Sequence, residues 1–389
     1  MDDLLVFNLL RYILLFLIVY CGSISIKTHA YWKFNIYPLI LFAVMEGCRW
    51  KRGVDYMYNY RISVGIDKSY DLVYDSFAEF LYNSGFPFYI FFIIVSFLLI
   101  FAIYILVKPL AHAIVPCVIF LYNFCLIDAE NLMRQYCALS LFVIAFYIYF
   151  YKTKIFALLI LIVAFNIHKS VLFPVMVSIV FLLLKKMDSK QNVISNLPKI
   201  FVFLFFISSV LSSYFSDILQ ILYALIPVGS SDKYISADYV RLAIDDSSDY
   251  FASSKLSIVT TIRHYWTVLS VMLIGFISLN KIKEVKLQNY LLIIYCLGCF
   301  GMVYDASLPK LSMEVIQRLG IYLSFFFYLM EGYMYYDVLK RNKTYYLSSV
   351  KGKWIYYSIL ALLIFNLAWV VRPFNGTEFV VKGVYFIWS

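Results

Sequence analysis

Four polar islands interrupt an otherwise apolar chain, and each carries residue types that bind anions or move protons. The first, EGCRWKRGVDYMYNYRISVGIDKSYD (Glu46 to Asp71), holds Arg49, Arg52 and Arg61 beside Asp55 and Asp67, with tyrosines at 56, 58 and 60. Guanidinium forks suit phosphate, carboxylates suit sugar hydroxyls, and aromatic rings stack on sugar faces. Gly53 and Gly65 let this backbone turn or approach a ligand. An ordinary solvated loop with exposed ion pairs has the same composition. The second island is Arg134-Gln135, preceded by Asp128 and Glu130, at the head of a membrane-length apolar run. A helix N-terminus there favours an anion, and Arg134 adds a full charge. The alternative is an edge anchor in which Arg134 pairs with Glu130. The third places His168 and Lys169 at the tip between two short apolar runs. Histidine titrates near neutrality and serves as a general base, although a lone histidine is more often structural. In the fourth, Glu314, Arg318 and Tyr322 follow one another at intervals of four, on one helix face. An arginine that deep in an apolar run must face a cavity rather than lipid.

The elements that position these residues follow from composition. The chain has 389 residues, 63% of them hydrophobic and 14% charged. Soluble domains are roughly 45–50% apolar, so the excess must face lipid. The apolar runs are continuous rather than alternating, which excludes a β-barrel. The expected fold is an all-α, polytopic integral membrane protein forming a single membrane domain over 1–389. Windows of about 20 residues place about twelve spans, at 4–26, 34–46, 86–107, 110–127, 132–151, 155–167, 170–184, 199–216, 263–280, 287–304, 314–337 and 354–371. Loops 47–85 and 216–262, carrying short amphipathic helices, and the tail 372–389 are expected outside the cytoplasm. The acidic opening MDDLLVFNLL lacks the basic region of a cleavable signal, so the first run reads as an anchor.

Charge gives the orientation. Placing 27–33, 108, 152–154, 185–199, 281–286 and 338–353 in the cytoplasm puts sixteen lysines and one arginine there, as the positive-inside rule requires. Both termini then lie outside. Eight of the ten arginines fall on the outer face: Arg49, Arg52, Arg61, Arg134, Arg241, Arg263, Arg318 and Arg372. Topology alone does not sort lysine from arginine. A need for planar, forked donors at an outward anion site does. Under this topology Arg134, His168 and Arg318 share one membrane depth.

The net charge of +10 thus reports topology rather than nucleic-acid binding. The seven cysteines show no metal or disulfide spacing, and Cys296 and Cys299 read as small packing residues. No metal cluster, nucleotide-binding glycine loop or Ser-His-Asp pattern is evident, and no cofactor is implied. No cytoplasmic loop is large enough for a nucleotide-sugar domain, so any glycosyl donor must be lipid-linked.

Taken in order, CRWKRGVDYMYNY, MRQYCALSLFV, AFNIHKSVLFPV and VIQRLGIY resemble the EpsG/Wzy family of polysaccharide polymerases. The likeness covers nearly the whole hydrophobic layout. One departure is Tyr56, which follows Asp55 where relatives commonly have threonine. The resemblance implies a bacterial plasma-membrane glycosyltransferase with its site facing the periplasm or cell exterior. It would transfer a growing glycan from polyprenyl (undecaprenyl) pyrophosphate to a new lipid-linked repeat unit, in O-antigen, capsule or exopolysaccharide synthesis. Lipid-linked donor and acceptor are its partners, with a chain-length regulator and a flippase beside them and no nucleic acid. On this reading Arg134 and Arg318 hold the pyrophosphate and His168 or Asp55 is the base. Arg49, Arg52, Gln135, Lys169, Glu314 and Tyr322 contact substrate. The loop Ser230 to Lys255 is where acceptor specificity is expected. An O-antigen ligase uses the same donor, and a flippase also wants intramembrane cations. A flippase, however, would show internal repeats and charges scattered through helix midsections.

Overall fold

The computed structural model describes residues 3–50, 52, 55–69, 71–187, 192–224, 258–307, 314–374 and 385–386. The loop Ser230 to Lys255, with Arg241, lies outside the described residues, as does Gly53.

Every one of the twelve expected runs is helical. In chain order these helices are α1 (Asp3–Thr28), α2 (Tyr31–Gly47), α5 (Phe88–Val107), α6 (Ile114–Asn131), α7 (Met133–Tyr151), α8 (Lys154–Ile167), α9 (Leu172–Met187) and α10 (Asn192–Ala224). They continue as α11 (Ile258–Ser270), which passes through a π-turn into α12 (Phe276–Asn280), then α13 (Val285–Ser307), α14 (Glu314–Tyr336) and α16 (Val350–Val371), with the short α15 (Lys343–Leu347) in the stretch between the last two. The protein is an all-α polytopic membrane protein: eight described stretches are long and apolar enough to cross a membrane. One of them, Phe88–Leu126, has 39 residues, the length of two passes of about 20, and breaks at a 3-10 turn over Lys108–Ala113. Helix α8 shows why soluble packing is excluded. Ile155, Phe156, Leu158, Leu159 and Ile162 are all exposed, a continuous apolar face that only lipid covers at no cost.

The expected outer loop 47–85 carries two short helices, α3 (Tyr56–Ser63) and α4 (Leu72–Asn83). Helix α4 buries Tyr74, Ala78 and Leu81 and leaves Leu72, Phe80 and Tyr82 exposed, so both faces are apolar, as suits a helix at a membrane boundary. Gly65 follows α3 with φ +73°, a left-handed turn open to glycine without strain. There the Ile66 amide returns to the Arg61 carbonyl and closes the helix. A two-residue antiparallel pairing joins β1 (Arg49–Trp50) to β2 (Tyr385–Phe386).

The chain forms two compact units: Met1–Val175 with Glu284–Tyr290 and Glu331–Ser389, and Met176–Lys283 with Leu291–Met330. In the first unit α2 packs on α1 and α5, and α7 on α5 and α8. Its arginine within a span, Arg11, is fully buried: Nη1 donates to the Arg372 carbonyl at 2.7 Å and Nη2 to the Val370 carbonyl. The guanidinium satisfies carbonyls that the end of α16 leaves open. In the second unit Phe181, Phe201, Tyr295 and Phe276 form an aromatic core, and the Tyr295 hydroxyl donates to the Met272 carbonyl. Cys296 and Cys299 are buried, in keeping with a packing role.

Candidate functional site

The loop between α3 and α4 is tied down residue by residue. The Tyr74 hydroxyl donates to Asn59 Oδ1 at 2.9 Å, locking α4 to α3. The Asp75 carboxylate accepts the Ser69 amide at 2.9 Å and the Ser69 hydroxyl at 2.6 Å. With its flanks fixed in this way, Asp71 is presented to α7. Arg134 Nη1 donates to Asp71 Oδ2 at 2.6 Å and reaches the Ser69 carbonyl at 3.4 Å. Its guanidinium carbon lies 5.4 Å from the centroid of the Tyr58 ring, within cation–π range. The Arg134 and Asp71 side chains are 24% and 16% exposed, so the pair is held by the protein yet reachable from outside it.

The third island joins the same place. Helix α4 packs on α8, whose end carries His168 and then Lys169. Lys169 is exposed and acts electrostatically on Asp71, while the Ser170 hydroxyl bonds His168 Nδ1. Burial pushes the Asp71 carboxyl up from its ordinary range; Arg134 and Lys169 pull it down, and Asp75 pushes it up. Burial wins, which means the carboxylate is ionised at a cost. Two cations, a carboxylate of raised pKa and a half-buried imidazole thus come from three separate sequence islands. That constellation can bind an oxyanion and exchange a proton.

Arg49 and Arg52 are placed differently. Both are almost fully buried, Arg52 Nη2 at 2.6 Å and Arg49 Nη1 at 3.8 Å from Glu46 Oε2. The Arg52 guanidinium also lies 4.5 Å from the Phe7 ring centroid, and that of Arg49 5.5 Å from the centroid of Phe92. Beside Glu46 and Arg49 lies a cavity of about 20 Å³, also lined by Ser96 and Tyr136, on the order of one water. Asp55 stands just ahead of α3, and its main-chain carbonyl accepts from the Asn59 amide at 3.0 Å. Arg61 pairs with Asp67 on the surface.

Gln135 is buried in the first turn of α7. Asp128 and Glu130 have side chains outside the described residues, as does Glu314 at the start of α14. Arg318 is half-buried and Tyr322 fully buried on α14. That part of the helix, up to Met330, lies in the second unit near Asp305, which accepts a hydrogen bond from the Ser324 hydroxyl. Among the described residues no group of three His, Cys, Asp or Glu side chains gathers as for a metal.

Sequence reasoning passed over Asp71, Asp75, Ser69 and Glu46. Asp71 closes the first island in the sequence. Nothing local distinguishes it from Asp67, because its role comes from a contact with Arg134, 63 residues away.

No curated protein and no solved structure matches the chain. The family model of the EpsG family matches residues 31–377, and the chain belongs to that family, a family of Wzy-type polysaccharide polymerases.

Proposed function

We propose that the protein polymerises lipid-linked oligosaccharide repeat units at the outer face of a bacterial plasma membrane. The reading draws on family membership, which supports a polysaccharide polymerase role, and on one observation, the largely buried but accessible Arg134–Asp71 pair beside Lys169 and His168. The donor is a growing glycan on polyprenyl (undecaprenyl) pyrophosphate, and the acceptor is the non-reducing end of a new lipid-linked repeat unit. An acceptor hydroxyl attacks the anomeric carbon, the bond from that carbon to the pyrophosphate oxygen breaks, and the hydroxyl proton passes to a base. Polyprenyl pyrophosphate leaves.

Arg134 and Arg318 stabilise the charge that develops on that leaving group, with Lys169 adding to the field. Asp71 is a positioning residue: it aims the Arg134 fork. His168 is the base, with Asp55 the second candidate. Glu314 contacts the substrate, and Gln135 and Tyr322, both buried, act on it by holding the helices that carry Arg134 and Arg318. Arg49 and Arg52, gathered on Glu46, support the floor of the first island and act on the donor through it.

The test is glycan chain length on a gel, in a deletion strain complemented at matched membrane abundance. The expected result is single repeat units on their normal acceptor after deletion, a ladder restored by wild type, and none restored by Arg134→Ala or Arg318→Ala. Full polymer synthesis by Arg318→Lys refutes the bidentate pyrophosphate role. Long lipid-linked polymer that is never attached identifies a ligase instead, and loss of all outer-face repeat units identifies a flippase.

A further inference from the structure

A second site lies in the first unit, away from the polar islands. A groove of about 640 Å³ runs between α1, α6, the end of α14 and α16, within the roughly 300–1,000 Å³ range of small-molecule sites. Its walls are almost wholly apolar, with Leu15, Val19, Val115, Ile119, Leu363 and Leu367 among them. Packing fixes its direction. Arg11 holds the end of α16 at Val370, which sets Leu15 at one end. Gly22 lies against Ile114 and Val115, which sets Ser23 and Ile26 at the other, beside the turn that carries His112. From Leu15 to Ile26 the helix rises about 16 Å, close to the ~15 Å half-thickness of a bilayer core.

The polar groups gather at that second end. His112 lines it, and because Gly332 lies against Pro116 and Cys117, Lys340 two turns further on reaches the same end; both are exposed, with the Lys340 ammonium 6.0 Å from the Tyr336 ring centroid. No acid lines the groove. The nearby carboxylate, Asp337, is fully buried and accepts from Arg341 and Asn342. The lining therefore offers one ammonium, Lys340, beside the His112 imidazole at one end, and hydrocarbon alone at the other, where the Arg11 guanidinium is buried on the Val370 and Arg372 carbonyls, over the length of one leaflet.

We propose that this groove is a site for an anionic glycerophospholipid, with an acyl chain between α1 and α16 and the phosphate on Lys340 and His112. A zwitterionic lipid fits the walls equally but brings a trimethylammonium to a cationic mouth. The charge asymmetry selects the anionic one. The site is independent of the glycan chemistry and stands or falls separately from it.

Native mass spectrometry of the full-length protein, equilibrated with equal amounts of phosphatidylglycerol and phosphatidylcholine of matched chains, tests this. Wild type should retain one phosphatidylglycerol in preference. Lys340→Gln should weaken that retention about fivefold, as roughly 1 kcal/mol per basic residue near a lipid surface predicts. Val19→Trp, which fills the groove from an exposed position on α1, should abolish retention of either lipid at this site without lowering the thermal unfolding temperature. Equal retention of the two lipids overturns the proposal. So does retention indifferent to Val19→Trp, or a co-purifying polyprenyl phosphate that phosphatidylglycerol fails to displace. If Val19→Trp does not fold, Leu363→Trp on the opposite wall replaces it.

Discussion

Replacing Asp71 separates what the Arg134 pair does for stability from what it does for chemistry. A charge-assisted hydrogen bond such as the 2.6 Å contact contributes roughly 1.5–3 kcal/mol. Against it stands the desolvation of a carboxylate that is only 16% exposed, which costs several kcal/mol before any partner offsets it. The raised pKa says that desolvation exceeds the attraction of Arg134 and Lys169. Because the folded pKa lies above the unfolded one, this carboxyl's contribution to stability is complete below the ordinary 3.8. It is lost as pH rises through the raised value, so wild type carries a cost at neutral pH. Asp71→Asn removes that charge, yet its amide oxygen still accepts from Arg134. The expected outcome is a protein at least as stable as wild type at neutral pH, lacking the fall in stability with rising pH that Asp71 causes. Asp71→Ala leaves Arg134 without this acceptor and should be less stable by about 1–3 kcal/mol. Denaturation in detergent across a pH series measures both. In the glycan ladder Asp71→Asn should retain some polymer and Asp71→Ala almost none, because only the former still aims the fork. A neutral-pH loss above about 1 kcal/mol in Asp71→Asn refutes the claim that burial dominates. A full ladder from Asp71→Ala refutes the positioning role.

Three further outcomes follow from the packing. Arg11→Met takes the donor from the Val370 and Arg372 carbonyls and should cost roughly 1–3 kcal/mol in thermal unfolding, with no change meaning that water replaces it. Gly298→Leu places a Cβ 2.5 Å from the Phe327 nitrogen. The backbones of α13 and α14 must then separate, at roughly 1–3 kcal/mol or more, read as a lower yield of monodisperse protein; an unchanged yield and melting temperature would mean the helices slide freely. In the buried cluster where Asn366 donates to Glu331 Oε1 at 2.6 Å and to the Tyr335 hydroxyl at 2.8 Å, Glu331→Leu should destabilise more than Glu331→Leu combined with Asn366→Leu, because the double variant strands fewer polar groups. Strict additivity in thermal unfolding would show that the cluster is not coupled.

The helices were legible from hydropathy alone, because lipid requires every backbone group in a span to be paired within its own segment. The break at Lys108–Ala113 was legible for the same reason, as a polar point between two runs of membrane length. Residues that gain meaning through contacts far apart in the chain were not. Glu46 sat in the first island as one acid among several. Only the fold shows it beneath two arginines, with its carboxylate at 2.6 Å from Arg52. The groove gave no trace either, since its walls are drawn from four stretches of ordinary transmembrane composition.

The surplus of arginine on the expected outer face resolves into different kinds once burial is known, and this bears on the reading that an anion site keeps them there. Arg49 and Arg52 are spent on Glu46 inside the protein. Arg61 is paired with Asp67 in the open, with 52% of its side chain exposed, where such a pair contributes roughly 0–1 kcal/mol and binds nothing by itself. Arg372 lies 3.6 Å from the ring centroid of Trp369, at the end of α16. Arginine therefore serves several structural ends here, each using its planar, weakly hydrated fork, and abundance by residue type overstates the number of ligand contacts. Arg134, Arg263 and Arg318 differ from these in being half-buried within long helices, and of the three Arg134 is the one whose guanidinium meets the first and third islands. The Arg134 guanidinium is oriented by Asp71 with 24% of its side chain exposed, which is the condition for stabilising charge that appears only in a transition state. Loss of Arg134 or Arg318 should abolish the glycan ladder. Loss of Arg61 should leave it unchanged, and a missing ladder in Arg61→Ala would return the first island to the centre of the chemistry.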